Sequence, residues 1–162
     1  MTGHASWLTT PITTERLVLR ESEARDREAF VELFSSPEVG TYIGGSKPRD
    51  EVDRTAPPIP GRRPGFFVVE LDGSMVGIVS FDVVDEERLL GYLFLPSVWG
   101  RGFAYEACSA ALDWYAAAHP DEPLASITQT ANTASMRLLA KLGFTADKRY
   151  EAYGAEQCHW RQ

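Results

Sequence analysis

Apolar and polar positions along this chain follow two different rhythms. Residues 66–71, FFVVEL, and 75–84, MVGIVSFDVV, are short apolar runs separated by Asp72 and Gly73, a dipeptide suited to a two-residue hairpin. A third run, LLGYLFL at 89–95, follows a polar turn at 85–87 and stops at Pro96. Together the three predict an antiparallel meander. Past Pro96 the period changes. Ala104, Ala107, Cys108, Ala111, Tyr115 and Ala118 recur at helical spacing. They predict an amphipathic helix that leaves the third strand through a loop bearing Gly100 and Gly102.

The flanking elements follow the same rules. ERLVLRE at 15–21 alternates as a strand, and REAFVELFSS after Asp26 places Ala29, Phe30, Leu33 and Phe34 on one helical face, with Asp26 as the expected N-cap. Five prolines and four glycines between 44 and 65 break any long element, leaving one short helical turn at 50–55. That Pro/Gly-rich loop reads as a mobile connection or as a substrate lid using Arg62 and Arg63. ASITQT at 125–130 is a strand reached by a crossover, hence parallel to its predecessor. A helix over 133–142 follows, with Asn132 as N-cap and Gly143 as its stop, and strands at 144–150 and 158–162 close the chain. The expectation is one α+β domain over 1–162, with a tail at 1–12 from which Trp7 docks. Its mixed, mostly antiparallel sheet carries helices on both faces.

Composition narrows the possibilities. The net charge of −7 has the wrong sign for gripping nucleic acid through its phosphates. No apolar run approaches the roughly 20 residues of a membrane span, and no cationic, hydrophobic leader opens the chain, so the cytoplasm is the expected compartment. Cys108 and Cys158 lack metal-type spacing and read as reduced structural residues, and His4, His119 and His159 form no cluster, so no metal is expected.

The chemistry concentrates at the loop between the third strand and the long helix. The first turn of a helix leaves main-chain N–H groups without partners at the positive end of the macrodipole, and an anion docks there readily. Gly100, Gly102 and the small Ala104 let a ligand approach the backbone closely. The run Trp99, Gly100, Arg101, Gly102, Phe103, Ala104, Tyr105, Glu106, Ala107 resembles the acetyl-CoA signature of the GNAT N-acetyltransferases, in the form used by the RimJ/RimL-type branch that acetylates ribosomal-protein N-termini. A second stretch, NTASMRLLAKLGF at 132–144, resembles the segment of that family that begins NxxS and ends KxGF. By residue type alone, Asn132 is a cap and Ser135 a solvent-facing helical residue.

The resemblance implies the GNAT fold, with strands 89–95 and 125–130 splaying apart, acetyl-CoA as cosubstrate and an amine as acceptor. Residues 99–104 would hold the pyrophosphate, backbone of Phe94 or Leu95 would pair with pantetheine, a main-chain N–H near Leu95 would contact the oxyanion, and Asn132 and Ser135 would contact the cofactor, Ser135 near its sulfur. The tyrosine that many members use to protonate the leaving thiolate is replaced by Leu139, which leaves Ser135 as substitute. The glutamate often found on the third strand is missing as well. Glu87, Asp82 and Glu151 stand as candidate bases, with Glu87 first among them, although each reads more readily as a surface charge. Glu106 reads as a partner of the helix dipole. With a weak base, an amine of low pKa is the expected acceptor: a protein or peptide N-terminus or a small amino compound. A catalytically weak acyl-CoA sensor is the alternative, and the sequence leaves monomer and homodimer equally open. An ordinary nucleotide-binding domain is disfavoured by the lack of a Walker lysine.

Overall fold

The computed structural model describes residues 6–162; His4 and the start of the tail lie outside them. The strands are β1 (Ile12–Thr13), β2 (Val18–Arg20), β3 (Phe66–Leu71), β4 (Ser74–Val84), β5 (Glu87–Phe94), β6 (Ala125–Gln129), β7 (Thr145–Ala152) and β8 (Ala155–Arg161). They form one eight-stranded sheet in the order β1-β2-β3-β4-β5-β6-β8-β7. The helices are α1 (Arg27–Ser35), α2 (Pro37–Gly40), α3 (Arg49–Thr55), α4 (Phe103–Ala118) and α5 (Thr133–Lys141).

The meander β3–β4–β5 is antiparallel throughout, and the hairpin residues Asp72 and Gly73 both take positive φ, as the tight primed turn requires. The second turn does the same with Asp85 and Glu86, and Glu87, expected in that turn, opens β5 instead. β1, a two-residue strand pairing with β2, begins at the last residue of the stretch expected to be tail. Trp7 docks as anticipated, edge-on to Phe67 and Trp114.

Side-chain alternation gives the sheet two differently dressed faces. Phe67, Val79, Phe81, Leu90 and Phe94 pack against α4 and α5, through Ala107, Cys108, Ala111, Tyr115 and Leu139. Phe66, Val68 and Ile78 belong to a second cluster with Leu33 of α1 and Val39 of α2, against which Phe30, Phe34 and Leu93 pack. Helices therefore cover both faces, as the pattern predicted. The stripe on α4 is met except at its end, where Ala118 is exposed.

Asp26 departs from its expected role. Its side chain makes no cap bond to α1. It is 2% exposed and accepts two hydrogen bonds, each 2.8 Å, from the buried guanidinium of Arg20 on β2, and a third from the main-chain N–H of Glu23. A buried cation must be matched by a charge, and that demand outweighs one N-cap.

The feature that positions the site is a tear in the sheet. β5 and β6 run parallel but meet in register only at Leu89 and Ala125, with Ser126 Oγ donating to Leu90 O at 2.8 Å just beyond. After that the two strands separate while β5 remains fully paired to β4.

Candidate active site

A cavity of about 1450 Å³ passes through this tear and reaches both faces of the sheet. On the α4/α5 side it is lined by Tyr92, Phe94, the loop before α4, and Asn132 and Ser135 of α5; on the α1/α2 side by Phe30, Phe34, Ile78, Ser80, Asp82 and Gly91. Single-ligand pockets run about 300–1,000 Å³, so there is room for two substrates meeting at the gap.

The loop between β5 and α4 is built from its glycines. Gly100 and Gly102 take φ of +75° and +80°, and Trp99 fixes the turn by donating its indole N–H to Phe94 O at 2.7 Å. No side chain caps α4, whose N-cap is Gly102 itself, and the bond from Glu106 N–H to Gly102 O at 3.1 Å opens the helical ladder. The amides just before it are left pointing out of the helix end. Two guanidinium groups flank this end: Arg16 lies 4.1 Å and Arg101 4.8 Å from the centre of the Phe103 ring. Arg16 also donates to Glu106 at 2.7 Å and to Arg101 O at 2.9 Å. Burial works against the charge on Glu106, but hydrogen bonds from Thr14 and Arg16 hold its carboxyl below the ordinary range. An uncapped helix end, positive dihedrals and adjacent cations fit the pyrophosphate of coenzyme A.

Strand phase determines which main-chain groups of β5 face the gap. Leu95 N–H donates to Val76 O of β4 at 2.8 Å, so the groups of Leu93 and Leu95 point toward β4 and those of Tyr92 and Phe94 toward the gap. Phe94 O is already taken by Trp99. The free amide at this end of β5 is thus that of Phe94, while Leu95, the other residue expected to offer its backbone, is committed to the sheet. Leu95 and Arg101 do not line the cavity; Trp99, Gly100, Gly102, Phe103 and Ala104 do.

Asn132 caps α5 as anticipated, its side-chain oxygen accepting from Ser135 N–H at 3.2 Å. Ser135 is 8% exposed rather than solvent-facing, and its hydroxyl is hydrogen-bonded to the phenol of Tyr92. Burial pushes the Tyr92 hydroxyl well above its usual pKa. The sequence offers no signal for Tyr92 beyond its place on the strand expected at 89–95, and nothing there ties it to Ser135, 43 residues away. Leu139, in the place of the familiar tyrosine, is a fully buried core residue.

The three candidate bases separate. Glu87 receives His159 Nε2 at 2.8 Å and lies off the cavity wall, as does Glu151. Asp82 does line the cavity, gripped by Arg63 through Nε and Nη2 at 2.7 Å each. The Arg63 hydrogen bonds hold its carboxyl below the usual range. Arg63 also donates to Gly61 O within its own loop at 3.0 Å, so its pair with Asp82 ties the Pro/Gly-rich loop to β4 at the cavity wall. Among the described residues, no group of His, Cys, Asp and Glu could hold a metal ion, and no helix is long and apolar enough to cross a membrane.

The fold is thus a torn mixed sheet whose gap joins an uncapped helix end to a second pocket. A family model described as an acetyltransferase (GNAT) domain matches residues 16–145, and the chain belongs to that family of acyltransferases. It is 28% identical over 142 residues to p20 of Bacillus licheniformis, described as an uncharacterized N-acetyltransferase, covering 81% of this chain and 80% of that one. The crystal structure of a GNAT-family acetyltransferase from Bacillus anthracis matches with a TM-score of 0.78 at 24% identity, over 94% of this chain and 98% of that one. RimL, a ribosomal α-N-protein acetyltransferase solved in complex with coenzyme A, matches with a TM-score of 0.75 at 15% identity, over 94% and 97% of the two chains. At these identities the structural likeness is one of fold.

Proposed function

We propose that this protein transfers the acetyl group of acetyl-CoA to a primary amine of low pKa, as a RimJ/RimL-like N-acetyltransferase. The observation that carries the reading is the continuous cavity joining the uncapped start of α4 to the pocket under α1 and α2 through the gap at Gly91 and Tyr92.

Acetyl-CoA supplies a thioester whose carbonyl carbon an amine can attack, with the coenzyme thiolate as leaving group. Amides at the start of α4, with Arg16 and Arg101 beside them, hold the pyrophosphate. Phe94 N–H, which faces the gap, donates to the thioester oxygen as it gains charge. Tyr92 and Ser135 form a hydroxyl pair at the gap, and Tyr92, kept protonated by burial, donates toward the departing sulfur through or beside Ser135. This pair answers the objection raised by Leu139 and favours catalysis over mere sensing.

Proton removal from the amine has weaker support in the wall. Asp82 is the carboxylate among the three candidates that reaches the cavity, and Arg63 makes it a poor base. The amine's own equilibrium then matters. At pH 7 an α-amine with pKa near 8 is about one-tenth neutral, against roughly one molecule in 2,500 for a lysine, a gap of about 3 kcal/mol.

Isothermal titration with acetyl-CoA, followed by thiol release across a panel of amines, tests the proposal. Binding together with transfer to α-amines is expected. Binding with no transfer to any amine would replace the enzyme with a sensor, and absence of binding would remove both readings.

A further inference from the structure

The α1/α2 half of the cavity has a chemistry of its own. Its walls are Phe30, Phe34, Phe66 and Ile78, and at its mouth Tyr42 and Ile43 stay 39% and 52% exposed. Ile43 leads into Gly44 and Gly45, both at positive φ. Among the described residues lining the cavity, Arg63 is the one cation, and Asp82 and Gly61 O already take donors from all three of its nitrogens. Glu38 also lines this half; it accepts from Ser36 Oγ at 3.3 Å and has no ion pair among the described residues. Arg63 and Asp82 cancel, so the uncompensated fixed charge here is the negative one of Glu38.

We infer that the acceptor is an α-amine on a bulky apolar or aromatic residue whose carboxyl is masked as an amide or ester, a refinement that rests on the acetyltransferase reading above. Apolar walls left facing a cavity recover their hydration cost only when an apolar body fills them. A free carboxylate beside the amine meets no unengaged cation and faces Glu38. An amide in its place removes that repulsion and leaves the amine with the low pKa of a chain terminus, which suits a site whose reachable carboxylate is a weak base. Gly91 fits the same picture. It sits on the acceptor face beside the tear, where an added Cβ would come within 3.0 Å of Ser80 Oγ, so its missing side chain keeps the passage open for an amine on a short arm.

Steady-state kinetics with acetyl-CoA and phenylalaninamide, phenylalanine, glycinamide, an Nα-blocked lysinamide and a phenylalanine-initiated tripeptide amide provide the test. Phenylalaninamide is expected to exceed glycinamide in kcat/KM by about tenfold to a hundredfold, the range a filled hydrophobic pocket gives, and to exceed phenylalanine by about tenfold or more. Preference for the tripeptide over phenylalaninamide would identify a peptide terminus as the source of this chemistry, and the reverse a small molecule; both support the class. Glycinamide, phenylalanine or the lysine side chain matching or beating phenylalaninamide overturns the inference while leaving acetyl transfer intact. Acetyl-CoA binding with no transfer to any amine removes the acetyltransferase reading itself, and this inference with it. Two substitutions test the wall directly: Ile43→Ser should narrow the phenylalaninamide to glycinamide ratio severalfold, and Glu38→Gln should narrow the phenylalaninamide to phenylalanine ratio about threefold. Unchanged ratios in both variants overturn the assignment.

Discussion

Tyr92 and Ser135 carry much of the proposed chemistry in two hydroxyls. Their hydrogen bond ties β5 to α5 across the gap, so each group orients the other. Ser135→Ala or Tyr92→Phe should lower kcat by about 10² while leaving acetyl-CoA affinity nearly unchanged, the loss expected when one donor to developing charge is removed. Because the two act as a unit, the double variant should be scarcely worse than either single one. Rapid-quench or thiol-release kinetics on the three variants would measure this, and full kcat in Tyr92→Phe would take the residue out of the mechanism. Burial raises the Tyr92 pKa, so its proton is retained through the alkaline range and loss of activity at high pH must come from another group.

The α5 helix carries one such hydroxyl and the α4 helix the proposed anion site, and both depend on their first turns. In α5 Asn132 Oδ1 accepts from the main-chain N–H of Ser135, which makes a structural cap part of the proposed active geometry. Asn132→Ala should cost about 1 kcal/mol of stability and lower kcat as well, because the freed turn no longer holds Ser135 against Tyr92; chemical denaturation and kinetics on the same protein would show both. A variant that lost stability but kept its kcat would mean that the cap only supports the fold. At the level of elements the sequence was informative: FFVVEL, DG, MVGIVSFDVV and the three- and four-residue spacing of α4 put the meander and the long helix nearly where they lie, since local periodicity reflects which face is buried. It failed at Ile12–Thr13, too short for any period to register.

For the molecule as a whole, the buried Arg20–Asp26 pair is costly to disturb. Both side chains are nearly inaccessible, and Arg20 reaches Glu70 at 2.8 Å as well. Asp26→Ala would leave a buried cation only partly matched, and the loss should fall at the low end of the 3–5 kcal/mol range for broken buried pairs because Glu70 remains. Urea denaturation measures it; a loss under about 1 kcal/mol would show the pair to be dispensable. The carboxyls of Glu70 and Asp82 are held low, each chiefly by hydrogen bonds from arginine. Glu106 is also held low, by Thr14 and Arg16 against the opposing effect of burial. The folded protein resists protonating all three, so their stabilisation is complete above about pH 4.3 and fades as the pH falls through the folded values. Melting temperature should be flat from pH 7 to about pH 5 and drop below pH 4. A Tm unchanged down to pH 2.5 would contradict this.

By itself the sequence determined the alternation of strands and helices, the glycines that open the start of α4, and the cap that starts α5, because each is set by neighbours a few residues away. It was the family resemblance, more than local logic, that marked residues 99–104 and 132–135 as a site. Only the tertiary structure decided which of these meet. It sent Leu95 N–H to Val76, placed Glu87 on His159, buried Asp26 against Arg20, and brought Tyr92 to Ser135 and Arg63 to Asp82. Such pairings depend on strand phase, on the point where β5 and β6 part, and on the need of buried charges for partners, and none of these is a property of any short stretch of chain.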